Sequence, residues 1–127
     1  MLPRLPSVAV AYSNLGSVCL EKNDVPCAEK MYRDAVSRLD AYSANSFNDA
    51  VAHLKLGRAL LREGRYAQAE PESMFGYKYL VANVAPNDHF LVIARKDLAS
   101  IYDGLHDPAK AAQFRAELEA AAQPVEK

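Results

Sequence analysis

Three short stretches of this chain resemble one another at nearly constant spacing, and this repetition constrains the fold more than any other feature. Each stretch holds a leucine followed by a very small residue: Leu15-Gly16, Leu56-Gly57 and Leu98-Ala99. The step is 41 residues from Leu15 to Leu56 and 42 from Leu56 to Leu98. An alanine follows each stretch at the same distance: Ala28, Ala69 and Ala111. A period of this length is typical of stacked helix pairs and disfavours a single-core enzyme fold.

The repeated residues have a direct packing interpretation. The three leucines can bury against a neighbouring helix, and the residue after each leaves room for a second helix to approach closely. The three alanines would supply the matching small surface on that second helix. We therefore expect Leu15, Leu56 and Leu98 to be buried, with close helix contacts at Gly16 and Gly57.

This pattern resembles the tetratricopeptide repeat. The first copy carries the resemblance in Leu15-Gly16, Ala28, Tyr32 and Ala35, the second in Leu56-Gly57, Leu60, Gly64, Tyr66 and Ala69, and the third in Leu98-Ala99, Tyr102 and Ala111. The common repeat has about 34 residues, so the step here is about two helical turns longer. The stretches 64–71 and 85–89 are similar to the long kinesin-light-chain class of these repeats.

The resemblance implies an all-α fold and a protein-binding role. The expected architecture is an α-solenoid of three antiparallel helix pairs in a right-handed superhelix. It would form one domain over residues 1–127, with repeats at about 6–42, 46–84 and 88–122. The second copy departs from the pattern at Ser73, where an aromatic is expected. In the third copy Arg115 and Leu118 fall at the equivalent places, unless a one-residue slip brings in Phe114.

Composition restricts the class of protein. Half the residues are hydrophobic, 24% are charged and the net charge is −1, which is ordinary for a globular domain and offers no basic footprint for nucleic acid. No apolar run reaches the roughly 20 residues that a membrane helix needs, and the first six residues are too short and proline-rich for a signal peptide. We expect a cytoplasmic protein in which Cys19 and Cys27 are buried thiols; a disulfide or redox pair is the alternative.

The histidines and carboxylates do not predict catalysis. His53 is expected to be a core or half-buried residue, His89 a capping or surface residue, and His106 with Asp103 and Asp107 an incomplete metal half-site. No nucleophile is distinguished by its surroundings and no phosphate loop is present. We therefore expect no enzyme activity, no cofactor and no metal site.

Binding is expected on the first helix of each pair, because these helices form the concave wall in such repeats. The predicted peptide-binding residues combine short polar side chains with cations: Ser13, Ser17, Leu54, Lys55, Arg58, Arg62, Lys96 and Ser100. This composition favours an acidic protein or peptide partner, although solvated helix faces would look the same. The carboxylate clamp of some proteins with these repeats is absent, and Asp97 would repel a terminal carboxylate. Its five places hold Ser13, Ser17, Lys55, Ile93 and Asp97.

The predicted function is therefore a scaffold that binds a protein or peptide on its concave face, without nucleic-acid or membrane partners. The alternative is a self-association or regulatory segment of a larger, bacterial-type signalling protein. Apolar residues of the last helix favour it, because no clearly polar capping helix follows: Ala109, Ala112, Phe114 and Leu118. On this alternative we expect Phe114 and Leu118 to be partly exposed or covered by a second copy in a homodimer.

Overall fold

The computed structural model describes residues 5–122, which form six α-helices and no strand. The helices are α1 (Leu5–Glu21), α2 (Val25–Tyr42), α3 (Phe47–Arg62), α4 (Tyr66–Asn83), α5 (His89–Gly104) and α6 (Pro108–Ala122). The all-α class predicted from the sequence is confirmed.

Side-chain caps and left-handed turn residues set the helix boundaries. Asp24, Ser46 and Asp88 accept hydrogen bonds from backbone N–H groups in the first turns of α2, α3 and α5, which satisfies donors that a helix start leaves free. The connections after α1, α2, α3 and α5 each contain one residue with positive φ: Asn23, Asn45, Gly64 and His106. These tight connections let each helix fold back beside the one before it.

Each helix packs against the next in sequence, and α3 also contacts α1 and α5. The apolar interior contains Leu56, Leu98 and the three repeated alanines. Gly16 faces the ring of Tyr32, and Gly57 faces Ser73 on α4, at distances too short for any side chain. Both close approaches predicted from the small residues are confirmed.

Leu15 does not follow its repeat equivalents into the core. It is 53% exposed, whereas Leu56 and Leu98 are almost fully buried. Leu56 and Leu98 lie on α3 and α5, each of which packs against an earlier odd-numbered helix and an earlier even-numbered one. Since α1 is the first helix described, no earlier pair of the described chain covers Leu15. The expectation that all three leucines are buried is wrong at this position.

The sixth helix is attached through Phe114, which is only 3% exposed. Its ring packs edge-on against Tyr77, with centroids 5.1 Å apart, and parallel to Tyr102 at 5.8 Å. Phe114 therefore takes the aromatic place in the third copy, while Arg115 lies on the surface and Leu118 is half-buried. The expectation that Phe114 is partly exposed or covered by a second copy is wrong, because Tyr77 of α4 and Tyr102 of α5 already cover it.

The two cysteines form a disulfide rather than two separate thiols. Cys19 lies in the last turns of α1 and Cys27 in the first turn of α2, so the tight connection brings their Cα atoms to 5.7 Å. Both residues are half-buried. The expectation of two buried free thiols is therefore wrong, and the bridge joins the first two helices at one end.

Between residues 5 and 122, none of the helices is both long enough and apolar enough to pass through a bilayer.

Candidate peptide-binding groove

A groove of about 490 Å³ runs across the odd-numbered helices. We call it the concave groove. Its lining comes from α1, α3 and α5, with one residue from α2: Ser17, Leu20, Glu21, Tyr32, Leu54, Lys55, Arg58, Arg62, His89, Phe90 and Ile93. A smaller cavity of about 180 Å³ adjoins it and shares Lys55 and Phe90.

The bottom of the concave groove is apolar. Leu54 is buried there, and Leu20, Phe90 and Ile93 are half-buried around it. Phe90 is held by an edge-on contact with Phe47, with ring centroids 5.8 Å apart. Apolar surface of this kind gives a bound side chain a place to leave water.

One wall carries a pair of hydroxyl groups. The Ser17 and Tyr32 oxygens are 3.0 Å apart, and Ser17 also donates to the Ser13 carbonyl of the preceding helical turn. Burial raises the pKa of Tyr32, although its contact with Ser17 and the nearby arginines oppose this. The phenol thus stays neutral at pH 7. Because Ser17 donates its hydrogen to Ser13, the Tyr32 hydroxyl donates to Ser17, and the two oxygens can only accept from a ligand.

The cations of the groove differ in whether they already have a partner. Arg58 Nη2 donates to Asp97 Oδ1 at 3.4 Å, and its Nε lies 3.3 Å from Oδ2. Burial raises the pKa of Asp97, and Arg58 opposes that shift. Within residues 5–122, no carboxylate lies within 4.0 Å of a Lys55 or Arg62 nitrogen. Lys55 and Arg62 are therefore the cations available to a ligand.

Lys55 is half-buried, and its burial lowers the pKa of the ammonium group. A carboxylate of an acidic ligand would stabilise the charged ammonium group of Lys55, which burial has partly removed from water. Among the described residues, Glu21 is the one carboxylate that lines the groove. The groove thus presents more positive than negative charge over an apolar floor.

The structure brings most of the predicted binding residues together. Ser17, Leu54, Lys55, Arg58 and Arg62 line the concave groove, and Ser13 lines the adjoining cavity. Lys96 and Ser100 are exposed and lie outside the lining. They continue the stripe of Ile93 along α5 at three- and four-residue spacing.

Sequence reasoning placed the contribution of α5 too far along the helix, at Lys96 and Ser100, and missed the contribution of α2. By the repeat, Leu54 corresponds to Lys96, yet Ile93 and Phe90 line the groove one and two turns earlier. Packed helices cross at an angle, so equivalent positions on successive helices do not stay level. The three-residue spacing from Phe90 to Ile93 and from Ile93 to Lys96 was the available clue. Nothing in the sequence indicated that Tyr32 reaches across from α2.

No family model, curated protein or solved structure matches this chain.

Proposed function

We propose that this chain is a non-catalytic scaffold that binds an acidic segment of a partner protein in the concave groove. The observation that carries the proposal is a groove that crosses α1, α3 and α5. It places Lys55 and Arg62, which pair with no carboxylate of residues 5–122, over an apolar floor. Peptide grooves combine these elements: apolar pockets for anchoring side chains and polar groups for orientation.

The architecture proposed with this function is a tetratricopeptide-like α-solenoid of three antiparallel helix pairs in a right-handed superhelix. Two observations support it: each helix packs against the next, and the odd-numbered helices contact one another in series from α1 through α3 to α5. In stacked helix pairs the first helices form the inner wall, which is where the groove lies.

The floor and the walls of the concave groove would contact different parts of the ligand. An apolar side chain of the ligand would pack on Leu54 and Phe90, while its acidic neighbours pair with Lys55 and Arg62. The Ser17–Tyr32 hydroxyls would bond to the ligand backbone. Each exposed ion pair is worth about 0–1 kcal/mol, so the charges act together and weaken as salt screens them.

Binding is tested with fluorescein-labelled peptides of one apolar sequence flanked by Glu, by Gln or by Lys, read by fluorescence anisotropy. At about 50 mM salt we expect the Glu peptide to bind best, and high salt to weaken it. The double variant Lys55→Glu/Arg62→Glu should reduce that affinity at least about tenfold and reverse the charge preference.

The matched control is Lys78→Glu, which makes the same kind of change on an exposed part of α4 outside the groove. It should leave binding unchanged. Lys96→Glu shows whether the ligand extends along α5 beyond the lining. Equal binding of all three peptides, or equal effects of the groove variant and the Lys78 control, would refute the proposal.

A second candidate function is self-association, within a larger signalling protein or as a homodimer. Burial of Phe114 removes one reason for placing the interface on the last helix pair. Leu15 and Val18 are 53% and 47% exposed on α1, at positions whose equivalents Leu56 and Ala59 are buried. Sedimentation equilibrium tests it: a dimer that Leu15→Lys converts to monomer supports this role, and a monomeric parent excludes it.

A further inference from the structure

A histidine and three carboxylates converge where α2, α3 and α4 meet, apart from the concave groove. Asp40 belongs to α2, Asp49 and His53 to α3, and Glu72 to α4. One donor atom from each of Asp40, Asp49 and His53 lies within 4.8 Å of the other two. His53 is 8% exposed, and its ring packs against Phe75 with centroids 3.9 Å apart.

Both ring nitrogens of His53 face carboxylates. Nδ1 lies 2.7 Å from Glu72 Oε1, while Nε2 lies 2.8 Å from Asp40 Oδ1 and 3.4 Å from Asp49 Oδ1. Burial lowers the pKa of His53, but hydrogen bonds to Glu72 and Asp40 outweigh it and raise the pKa to about 8. Glu72 thus orients the ring so that Nε2 points between two aspartates.

Asp49 supplies a second observation, a buried oxygen that lacks a hydrogen-bond donor. The residue is fully buried, and its Oδ1 has no hydrogen-bond donor among the described residues. Its other oxygen accepts from the Asn45 backbone N–H at 3.2 Å. A buried carboxylate oxygen without a donor is costly and rare in native structures. Burial, and then the nearby Asp40 carboxylate, raise the pKa of Asp49 to about 6.

We propose that Asp40, Asp49 and His53 bind one divalent transition-metal ion of the zinc type, with Glu72 as the residue that positions the histidine. Imidazole nitrogen with carboxylate oxygens suits Zn²⁺ and its neighbours, whereas Mg²⁺ and Ca²⁺ prefer oxygen ligands alone. The carboxylate–histidine–metal arrangement recurs in zinc sites, where the carboxylate sets the tautomer and ring orientation.

The distances fit such an ion after a small movement. Bonds of about 2.0–2.2 Å in tetrahedral geometry place neighbouring donor atoms about 3.2–3.6 Å apart. The 3.4 Å between His53 Nε2 and Asp49 Oδ1 is already in that range. Asp40 must withdraw by about half an ångström, and its side chain is 47% exposed and free to do so. Its exposure also leaves room for water as the fourth ligand.

The ion would join two repeats. It would bind α2 of the first repeat to α3 of the second, and the Glu72 contact would extend the connection to α4. An ion that binds only the folded chain raises its stability by mass action.

The test uses tag-free protein stripped with a chelator and then titrated with Zn²⁺ against a chromophoric competitor. We expect one Zn²⁺ per chain and a higher melting temperature. Asp40→Asn should weaken binding at least about tenfold, and Glu72→Gln by about 10–100-fold. Co²⁺ should give a visible spectrum whose intensity falls in Asp40→Asn.

His106→Gln is the matched control, because this exposed histidine lies beside Asp103 and Asp107, away from the cluster. Circular dichroism would establish that each variant is folded. The test uses Asp40→Asn rather than a His53 variant because Asp40 is exposed, whereas a change at buried His53 can unfold the chain. Absence of stoichiometric binding, or an affinity unchanged in folded Asp40→Asn, would overturn the site. Loss of binding in His106→Gln alone would also overturn it.

Discussion

At the scale of single residues, the contact between α3 and α4 depends on the missing side chain of Gly57. A Cβ atom there would lie 2.2 Å from Ser73 Oγ, 3.0 Å from the Ser73 nitrogen and 3.3 Å from the Ala69 carbonyl oxygen. The Ser73 hydroxyl is itself buried with no hydrogen-bond partner among the described residues. Gly57 and Ser73 are therefore a complementary pair, in which each residue is small because the other is close.

Gly57→Ala should lower the free energy of unfolding by about 1–3 kcal/mol through overpacking. The higher helix propensity of alanine, worth about 1 kcal/mol relative to glycine, offsets part of this overpacking cost. Ser73→Ala alone should be nearly neutral, because it removes an unpaired hydroxyl. The double variant should recover part of the loss, since Oγ is the nearest obstruction.

Urea unfolding of the parent, both single variants and the double variant gives the coupling energy. Lys78→Ala, on the exposed part of α4, is the control and should stay within about 0.5 kcal/mol of the parent. Strictly additive effects of Gly57→Ala and Ser73→Ala on the free energy of unfolding would show that their mutual contact does not cause the loss of stability.

At the scale of elements, one carboxylate joins α6 to the two helices before it. Glu117 Oε1 accepts from Arg95 Nε of α5 at 3.0 Å and from the Tyr77 hydroxyl of α4 at 2.7 Å. Arg95 is buried and also donates to the Pro86 carbonyl at 3.1 Å. Burial raises the pKa of Tyr77, and the bond to Glu117 adds to the shift, so that it reaches about 12. The phenol remains a donor at all ordinary pH values.

Glu117 should make the last helix sensitive to acid. Burial raises its pKa, but hydrogen bonds from Tyr77, Gln113 and Arg95 outweigh this, and the pKa falls below the usual 4.5. A carboxyl whose pKa is lower when folded binds fewer protons folded than unfolded. Its stabilising contribution is therefore complete above about pH 4.5 and disappears as the pH falls through the folded value.

Glu117→Gln should be less stable than the parent above pH 5, by about 1–3 kcal/mol for a hydrogen-bonded charge. Urea melts between pH 3 and 6 should show this difference shrinking in acid. Glu119→Gln, an exposed neighbour on the same helix, should match the parent throughout. A difference for Glu117→Gln that does not change with pH would contradict this assignment.

The elements were more predictable from the sequence than the contacts that join them. Helical spacing and capping residues such as Asp24, Ser46 and Asp88 are local features. The predicted repeats at about 6–42, 46–84 and 88–122 therefore lie within a few residues of the observed helix pairs. Phe114 was ambiguous because a one-residue slip of the repeat decides which side of α6 is buried. The cluster at His53 could not be seen, since Asp40 and Glu72 lie 13 and 19 residues away at no regular spacing. Five of the eight predicted groove residues line the groove because the repeat identifies α1 and α3 as equivalent first helices of their pairs.

At the scale of the whole molecule, the helices are connected unequally. The third helix contacts α1, α2, α4 and α5, whereas the first and last helices lie at the two ends of the series. The apolar interior follows the same order, with Leu56, Ala59 and Leu60 of α3 fully buried. A chain whose helices contact mostly their neighbours in sequence unfolds at its ends more readily than in its middle.

This unequal connection of α3 has a kinetic consequence for single amide protons. Opening the amides of α3 requires separation from four other helices, so the free energy of opening that governs their exchange with solvent deuterium should approach that of global unfolding. Amides of α1 and α6 should exchange sooner, through fraying that leaves the centre folded. Deuterium uptake followed by mass spectrometry on peptides from each helix measures this directly. Uptake in α3 as fast as in α6 would mean that the chain opens only as a single unit, with no order from the ends to the centre.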